Sequence, residues 1–383
     1  MTVPAPPAAA PPATLGYRPA LDGVRALAVT LVVAVHVTYL LVPAWAGRWV
    51  PGGFLGVDIF FVLSGFLITT LLLEEHAATG TVSFRGFYAR RALRLLPAVT
   101  VLLLVHAVLA VARGADLALE VRTAAAVMLY VANWVIAAGG EVAAGLGHLW
   151  SLSVEEQFYL VWPALLLLVL RARRPASALL VLAAAGIVGA TALRAWLWVD
   201  GATWDRIYVR TDARADQLLM GVVLAVAFHR GWRLPSRARG AGAAGLAVLV
   251  GCALIVPRES GWLFVGGGFT VVGLAAVALL ATVLDTGSAL ARAFSWGPAV
   301  MLGRASYSLY LWHAPIFEVV ANRLGTRAPA VRIVAALAGC AVATAASYHL
   351  VEMPAARLRR RLAARRRTMQ EVPAAGAVEF GPV

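Results

Sequence analysis

The sequence predicts an all-α fold: a polytopic integral membrane protein with about ten transmembrane helices and both termini in the cytoplasm. Three observations predict it. The 383 residues are 61% hydrophobic and only 14% charged, too little polar surface to cover a soluble protein of that length. Apolar stretches of about 20 residues recur along the chain, each long enough to cross about 30 Å of hydrocarbon. The arginines gather in short runs between those stretches, as they do in cytoplasmic loops. The runs are Arg90, Arg91 and Arg94; Arg171, Arg173 and Arg174; Arg230, Arg233, Arg237 and Arg239; and Arg357 to Arg367.

Residues 1–16 are rich in Pro and Ala, with no charged start and no cleavage-like site, and read as a disordered cytoplasmic tail. The first apolar segment is then a retained signal anchor. Spans are expected near 22–43, 53–74, 95–112, 149–170, 178–198, 215–230, 241–256, 261–284, 299–320 and 330–351, within a membrane domain of residues 17–361. Residues 362–383 form a basic, then disordered, tail. With the N-terminus inside, all four basic runs face the cytoplasm. The apolar stretch 121–138 breaks this pattern, because a crossing there would carry the next basic run outside. It is expected to be re-entrant or partly inserted.

The net charge of +14 lies in these loops, which speaks against nucleic acid as a partner. Cys252 and Cys340 sit in apolar stretches without CxxC spacing, so neither a disulfide framework nor a zinc site is indicated. No Walker or GxGxxG pattern supports a nucleotide hydrolase or dinucleotide site.

Ionisable residues inside the bilayer are costly unless they face protein or a wet cavity. Arg25 and His36 are eleven residues apart on the first span, which is about 16 Å of helix and nearly the same azimuth. The topology puts Asp58, Glu155, Glu156 and His313 at a depth close to that of His36, from four separate helices. An acid beside an imidazole fixes its tautomer and favours its protonated form, as a general base requires. Interhelical polar packing is the plainer reading of any single one of these residues. His148, at the outer end of the fourth span, could line the same mouth. At the inner face Arg91 and Arg94 are neighbours on one side of a helix, suited to phosphate as well as to simple membrane anchoring.

Seven strings carry a family resemblance. They are YRPALDGVRALAVTLVVAVH at 17–36, GGFLGVDIFFVLSGFLITTLL at 52–72, FYARRALRLLP at 87–97, LWSLSVEEQFYLVWP at 149–163, RTDARADQLLMGVVLA at 210–225, GRASYSLYLWHAPI at 303–316 and VEMPAARLRRR at 351–361. The chain resembles the membrane acyltransferase 3 family of bacterial O-acyltransferases, in its stand-alone form without an extracytoplasmic hydrolase-like domain. The resemblance implies catalytic roles for His36, Asp58, Glu155 and Glu156, and donor binding by Arg25, Arg91 and Arg94. It implies no permanently bound cofactor and no metal. Acyl-CoA, usually acetyl-CoA, is the implied donor substrate. The implied acceptor is a hydroxyl of a cell-surface glycan or a glycosylated small molecule at or beyond a bacterial cytoplasmic membrane. Under this reading Asp58 or Glu155 orients His36 as the base. A transporter or flippase, or a non-catalytic membrane scaffold, would also use polytopic helices with buried polar groups.

Overall fold

Every element formed by the described residues is helical. The structure is a computed structural model that describes residues 14–235, 238 and 240–371, with side chains as far as residue 362. The expected tail segments 1–13 and 372–383, and Arg237 and Arg239, lie outside the described residues.

α1 (Pro19–His36) starts on a proline, whose fixed φ suits a first turn. It passes into a π-helical turn, Val37–Leu41, directly after His36. α2 (Gly56–Thr79) ends on Gly80 at φ +75°, where a residue without a Cβ is needed. Ser83 caps α3 (Phe84–Ala112) by accepting from Gly86 N at 3.1 Å. The stretch 121–138 is broken into α4 (Leu117–Met128) and α5 (Ala132–Ala137) around Tyr130, at φ +57°. At 12 and 6 residues these helices are about 18 and 9 Å long, too short to cross.

Next come α6 (Trp150–Leu170), α7 (Pro175–Val199), α8 (Trp204–Tyr208) and α9 (Thr211–His229). α10 (Ala241–Ile255), α11 (Gly261–Phe264), α12 (Gly268–Val283), α13 (Ala289–Phe294) and α14 (Gly297–Arg304) follow. α15 (Ser306–Leu324) and α16 (Pro329–Ser347) lead through a π turn, Tyr348–Glu352, into α17 (Met353–Glu371). α17 runs past the expected domain edge at 361, so the first part of the expected tail is helical.

Six helical segments are long and apolar enough to cross a membrane: Pro19–Leu41, Gly53–Thr79, Phe84–Ala112, Gly147–Leu170, Pro175–Val199 and Pro329–Leu362. The other four expected spans also fall on helices, α9, α10, α11–α12 and α14–α15. α10 and α12 are short apolar helices. The α9 sequence carries Asp212, Arg214 and Asp216, which lower its hydropathy.

Small residues let these helices approach closely. α2 and α9 run parallel: Asp58 pairs with Arg214 near their starts, and Phe66 meets Phe228 further on. A Cβ on Gly65 would lie 1.9 Å from Leu218 O, and one on Gly221 would lie 2.1 Å from Val62 O. α1 packs on α14 in the same way, with Gly303 against Asp22 O. α15 runs parallel to α1, bringing His313 to the level of His36.

Candidate active site

A cavity of about 590 Å³ lies between α2, α3, α6 and α15, within the range of small-molecule sites. One end is cationic. Arg25, Arg90, Arg91, Arg94 and Arg359 line it, against Glu75, Glu155 and Glu156. The shaft above is walled by apolar side chains, among them Val57, Phe61, Leu63, Leu67 and Leu152. A second cavity of about 290 Å³ shares Arg25, Arg94 and Arg359 with the first, and adds Arg304, Tyr348 and Glu352.

The arginines at this mouth are not equivalent. Arg91 is committed: it pairs with Glu156 at 3.0 Å, and its guanidinium lies 3.3 Å from the centre of the Tyr159 ring. Arg90 pairs with Glu75 at 3.1 Å, and Arg25 with Asp22 at 2.9 Å. Arg94 is exposed to the cavities and has no hydrogen-bond or ion-pair partner among the described residues. Arg91 and Arg94, both expected to meet the donor's phosphates, thus differ in their surroundings: Arg91 is held in an ion pair and Arg94 opens on the cavities. Glu156, about two turns into the chain's fourth expected span, neutralises the first of them. Leu15, placed by the sequence in a disordered tail, is buried, donates from its backbone N to Glu74 Oε1 at 2.5 Å, and lines the main cavity.

At the far end the cavity stops at Ser151 and Tyr310, whose hydroxyls are 2.6 Å apart. Tyr310 donates to the carbonyl of His148 at 2.5 Å. Three imidazoles follow in series. The His148 ring centre lies 4.9 Å from that of His313, which lies 4.8 Å from that of His36. His36 Nδ1 bonds to Val32 O at 2.7 Å and His313 Nδ1 to Tyr310 O at 2.7 Å. A carbonyl only accepts, so both rings carry their proton on Nδ1 and present Nε2 as a base. The sequence anticipated the meeting of His36 with His313 and placed His148 at the same mouth.

The carboxylates go elsewhere. Asp58 is wholly buried and pairs with Arg214 of α9, not with His36. Arg214 lies over the Phe269 ring at 4.1 Å, and Arg194 approaches the same ring at 5.0 Å. Arg194 in turn pairs with Asp216 at 2.9 Å. Two acids and two guanidinium groups thus balance in a wholly buried cluster. Glu155 accepts from Ser64 Oγ at 3.0 Å and from Tyr159 Oη at 3.3 Å, inside the main cavity. Among the described residues no acid bonds to His36, so the expected orienting role of Asp58 or Glu155 is corrected. The reason is axial: Gly56 of α2 meets Ala28 of α1, so Asp58 stands below His36, where Arg214 takes it, while Ser64 and Tyr159 hold Glu155 lower still in the shaft.

Sequence reading missed Arg194 and Arg214 as partners and Tyr310 as the cap of the cavity. Arg194, alone in the apolar span 178–198, carried the signal, since a buried guanidinium needs an acid close by. His106 bridges Glu120 at 3.0 Å and Ala144 O at 3.0 Å. No group of three or more His, Cys, Asp or Glu among the described residues is arranged to hold a metal ion.

A family model described as an acyltransferase domain matches residues 18–352. The chain belongs to the acyltransferase 3 family. It is 33% identical over 355 residues to the peptidoglycan O-acetyltransferase OatA of Listeria monocytogenes, covering 88% of this chain and 56% of that protein. It is 34% identical over 320 residues to the O-acetyltransferase OatA of Staphylococcus aureus, covering 79% of this chain and 51% of that protein. The chain thus spans about half the length of the curated relatives it matches. No solved structure matches it.

Proposed function

We propose that this chain is a membrane O-acyltransferase that takes an acyl group from acyl-CoA in the cytoplasm. It delivers the group to a glycan hydroxyl at or beyond the other face. One observation carries the reading: a cationic mouth leads through an apolar shaft to Ser151 and Tyr310, and Tyr310 packs against the histidine cluster. Coenzyme A is an anionic nucleotide on a long, thin pantetheine arm. Arg94, with Arg25 and Arg359, meets its phosphates as charge-assisted donors, and the shaft takes the arm. Acetyl is the group named in the relatives' activity, and peptidoglycan the acceptor named for one of them. Both are taken over here as part of the proposal, as are the bacterial cytoplasmic membrane, ten spans and cytoplasmic termini.

His36 acts as the general base. Its Nε2 takes the proton of the acceptor hydroxyl as the oxygen attacks the thioester carbonyl. The C–S bond breaks, and the proton passes from the imidazolium to the leaving thiolate. The thioester reaches His36 past Ser151 and Tyr310, which close the shaft just below the histidines.

Purified protein supplied with radiolabelled acetyl-CoA and soluble peptidoglycan fragments tests the reading. Label transfer with release of the free thiol is expected. Binding of acetyl-CoA without any transfer, together with transmembrane flux of a solute in proteoliposomes, would favour a carrier instead.

A further inference from the structure

Among the described residues His36 has no acid of the kind a histidine base ordinarily leans on, yet it is not alone. His313 is wholly buried, and its Nδ1 proton is spent on Tyr310 O at 2.7 Å. Its Nε2 is buried with no partner among the described residues. That nitrogen is a bare acceptor in a dry site, which a structure tolerates at a cost in stability. The ring stands edge-on to His36 with centres 4.8 Å apart, close enough for the ring edges to touch. It is held from the other sides by His148 at 4.9 Å and Phe317 at 5.9 Å. The titratable groups against it are His36 from α1, His148 ahead of α6 and Tyr310 from its own helix.

We propose that His313 is the positioning residue for His36: its Nε2 accepts the hydrogen bond of the His36 imidazolium and shares its proton until the thiolate collects it. This inference rests on the acyl-transfer reading above. The balance is simple. The hydroxyl proton moves to His36 Nε2, is shared with His313 Nε2, and ends on the sulfur as the C–S bond breaks. A neutral imidazole thereby stabilises the imidazolium from the Nε2 side while Val32 O pins Nδ1, with no buried negative charge to stabilise.

A purely packing role makes a different forecast, because phenylalanine would fill the same space. We expect His313→Phe and His313→Ala to lose about 100-fold in kcat for thiol release from acetyl-CoA in the presence of soluble peptidoglycan fragments, on the scale of an acid–base contribution. The KM for acetyl-CoA should stay within about twofold, since the donor mouth is untouched, and the alkaline rise of the pH–rate profile should shift. Imidazole in the buffer should restore turnover to His313→Ala, whereas pyrazole, equal in size but scarcely basic, should not. Wild-type turnover in His313→Phe, or equal rescue by pyrazole, overturns the inference and leaves the acyl-transfer reading standing. A wild-type protein with no thiol release from acetyl-CoA overturns both.

Discussion

A histidine is a useful base only when one nitrogen is pinned and the other is free. His36 meets that condition through its own helix: Val32 O, one turn below, holds Nδ1. His36→Ala is therefore expected to keep acetyl-CoA binding while lowering transfer by about 100-fold or more. Equal loss of binding and transfer would show a folding defect instead, and full transfer would remove His36 from the chemistry. The arginines separate by the same logic. Arg91 already faces Glu156, while Arg94 faces only cavity. Charge-assisted bonds contribute about 1.5–3 kcal/mol, so Arg94→Ala should weaken acetyl-CoA roughly 10- to 100-fold by calorimetry. Arg91→Ala should instead destabilise the protein by stranding Glu156. Depth within one span was legible in the sequence, because helical rise fixes how far each residue stands below its own span's end. How two spans are offset against each other was not. Gly53 meets Leu31 and Val35, and Gly56 meets Ala28, so Asp58 stands below His36 and pairs there with Arg214 of α9.

That packing is itself a test at the scale of elements. The Cβ of Gly65→Ala would be placed 1.9 Å from a backbone oxygen, so α2 and α9 would have to part. Overpacking of this kind costs about 1–3 kcal/mol or more. Gly251→Ala on α10 meets open space and serves as the control. A thermal shift in detergent should fall clearly for the first and stay near wild type for the second. Parting these helices also separates Asp58 from Arg214, and a buried charge left alone costs about 3–5 kcal/mol. Asp58→Asn should lower thermal stability by a comparable amount even with the glycines intact. Unchanged melting would mean that the pair is solvated rather than dry. The sequence made these elements easy to find but their ends less so. The ten apolar stretches all fall on helices, because hydropathy reads the lipid directly. The break at Tyr130, the π turn after His36 and the docking of Leu15 come from local backbone geometry and contacts that hydropathy does not record.

Across the whole molecule, the parallel pairs constrain the threading. α2 and α9 can run side by side in the same direction only if an odd number of crossings separates them. α3, α6 and α7 supply three. A fourth crossing through 121–138 would turn α9 antiparallel to α2, against the pairing of Asp58 with Arg214 and of Phe66 with Phe228. The same parity holds for α1 and α15, whose His36 and His313 meet, and it requires the short helices α10 and α12 to cross together or not at all. Single cysteines read this out. Cys252 and Cys340 are both buried, so the native background should be low. Ala115, Glu141 and Pro329 are exposed at the ends of helices that lead away from the arginine mouth, while Ala172 lies at the opposite end of α6. Ala143, two residues from Glu141, is buried and would not report. An impermeant maleimide added to intact cells should label cysteines at Ala115, Glu141 and Pro329, and should reach Ala172 only after lysis. Labelling at Ala172 from outside would mean that 121–138 crosses after all, and the donor mouth would then no longer face the cytoplasm on α6. Labelling at Ala115 but not at Pro329 would instead put the break in parity at α10 and α12, leaving the α2–α9 pairing in place.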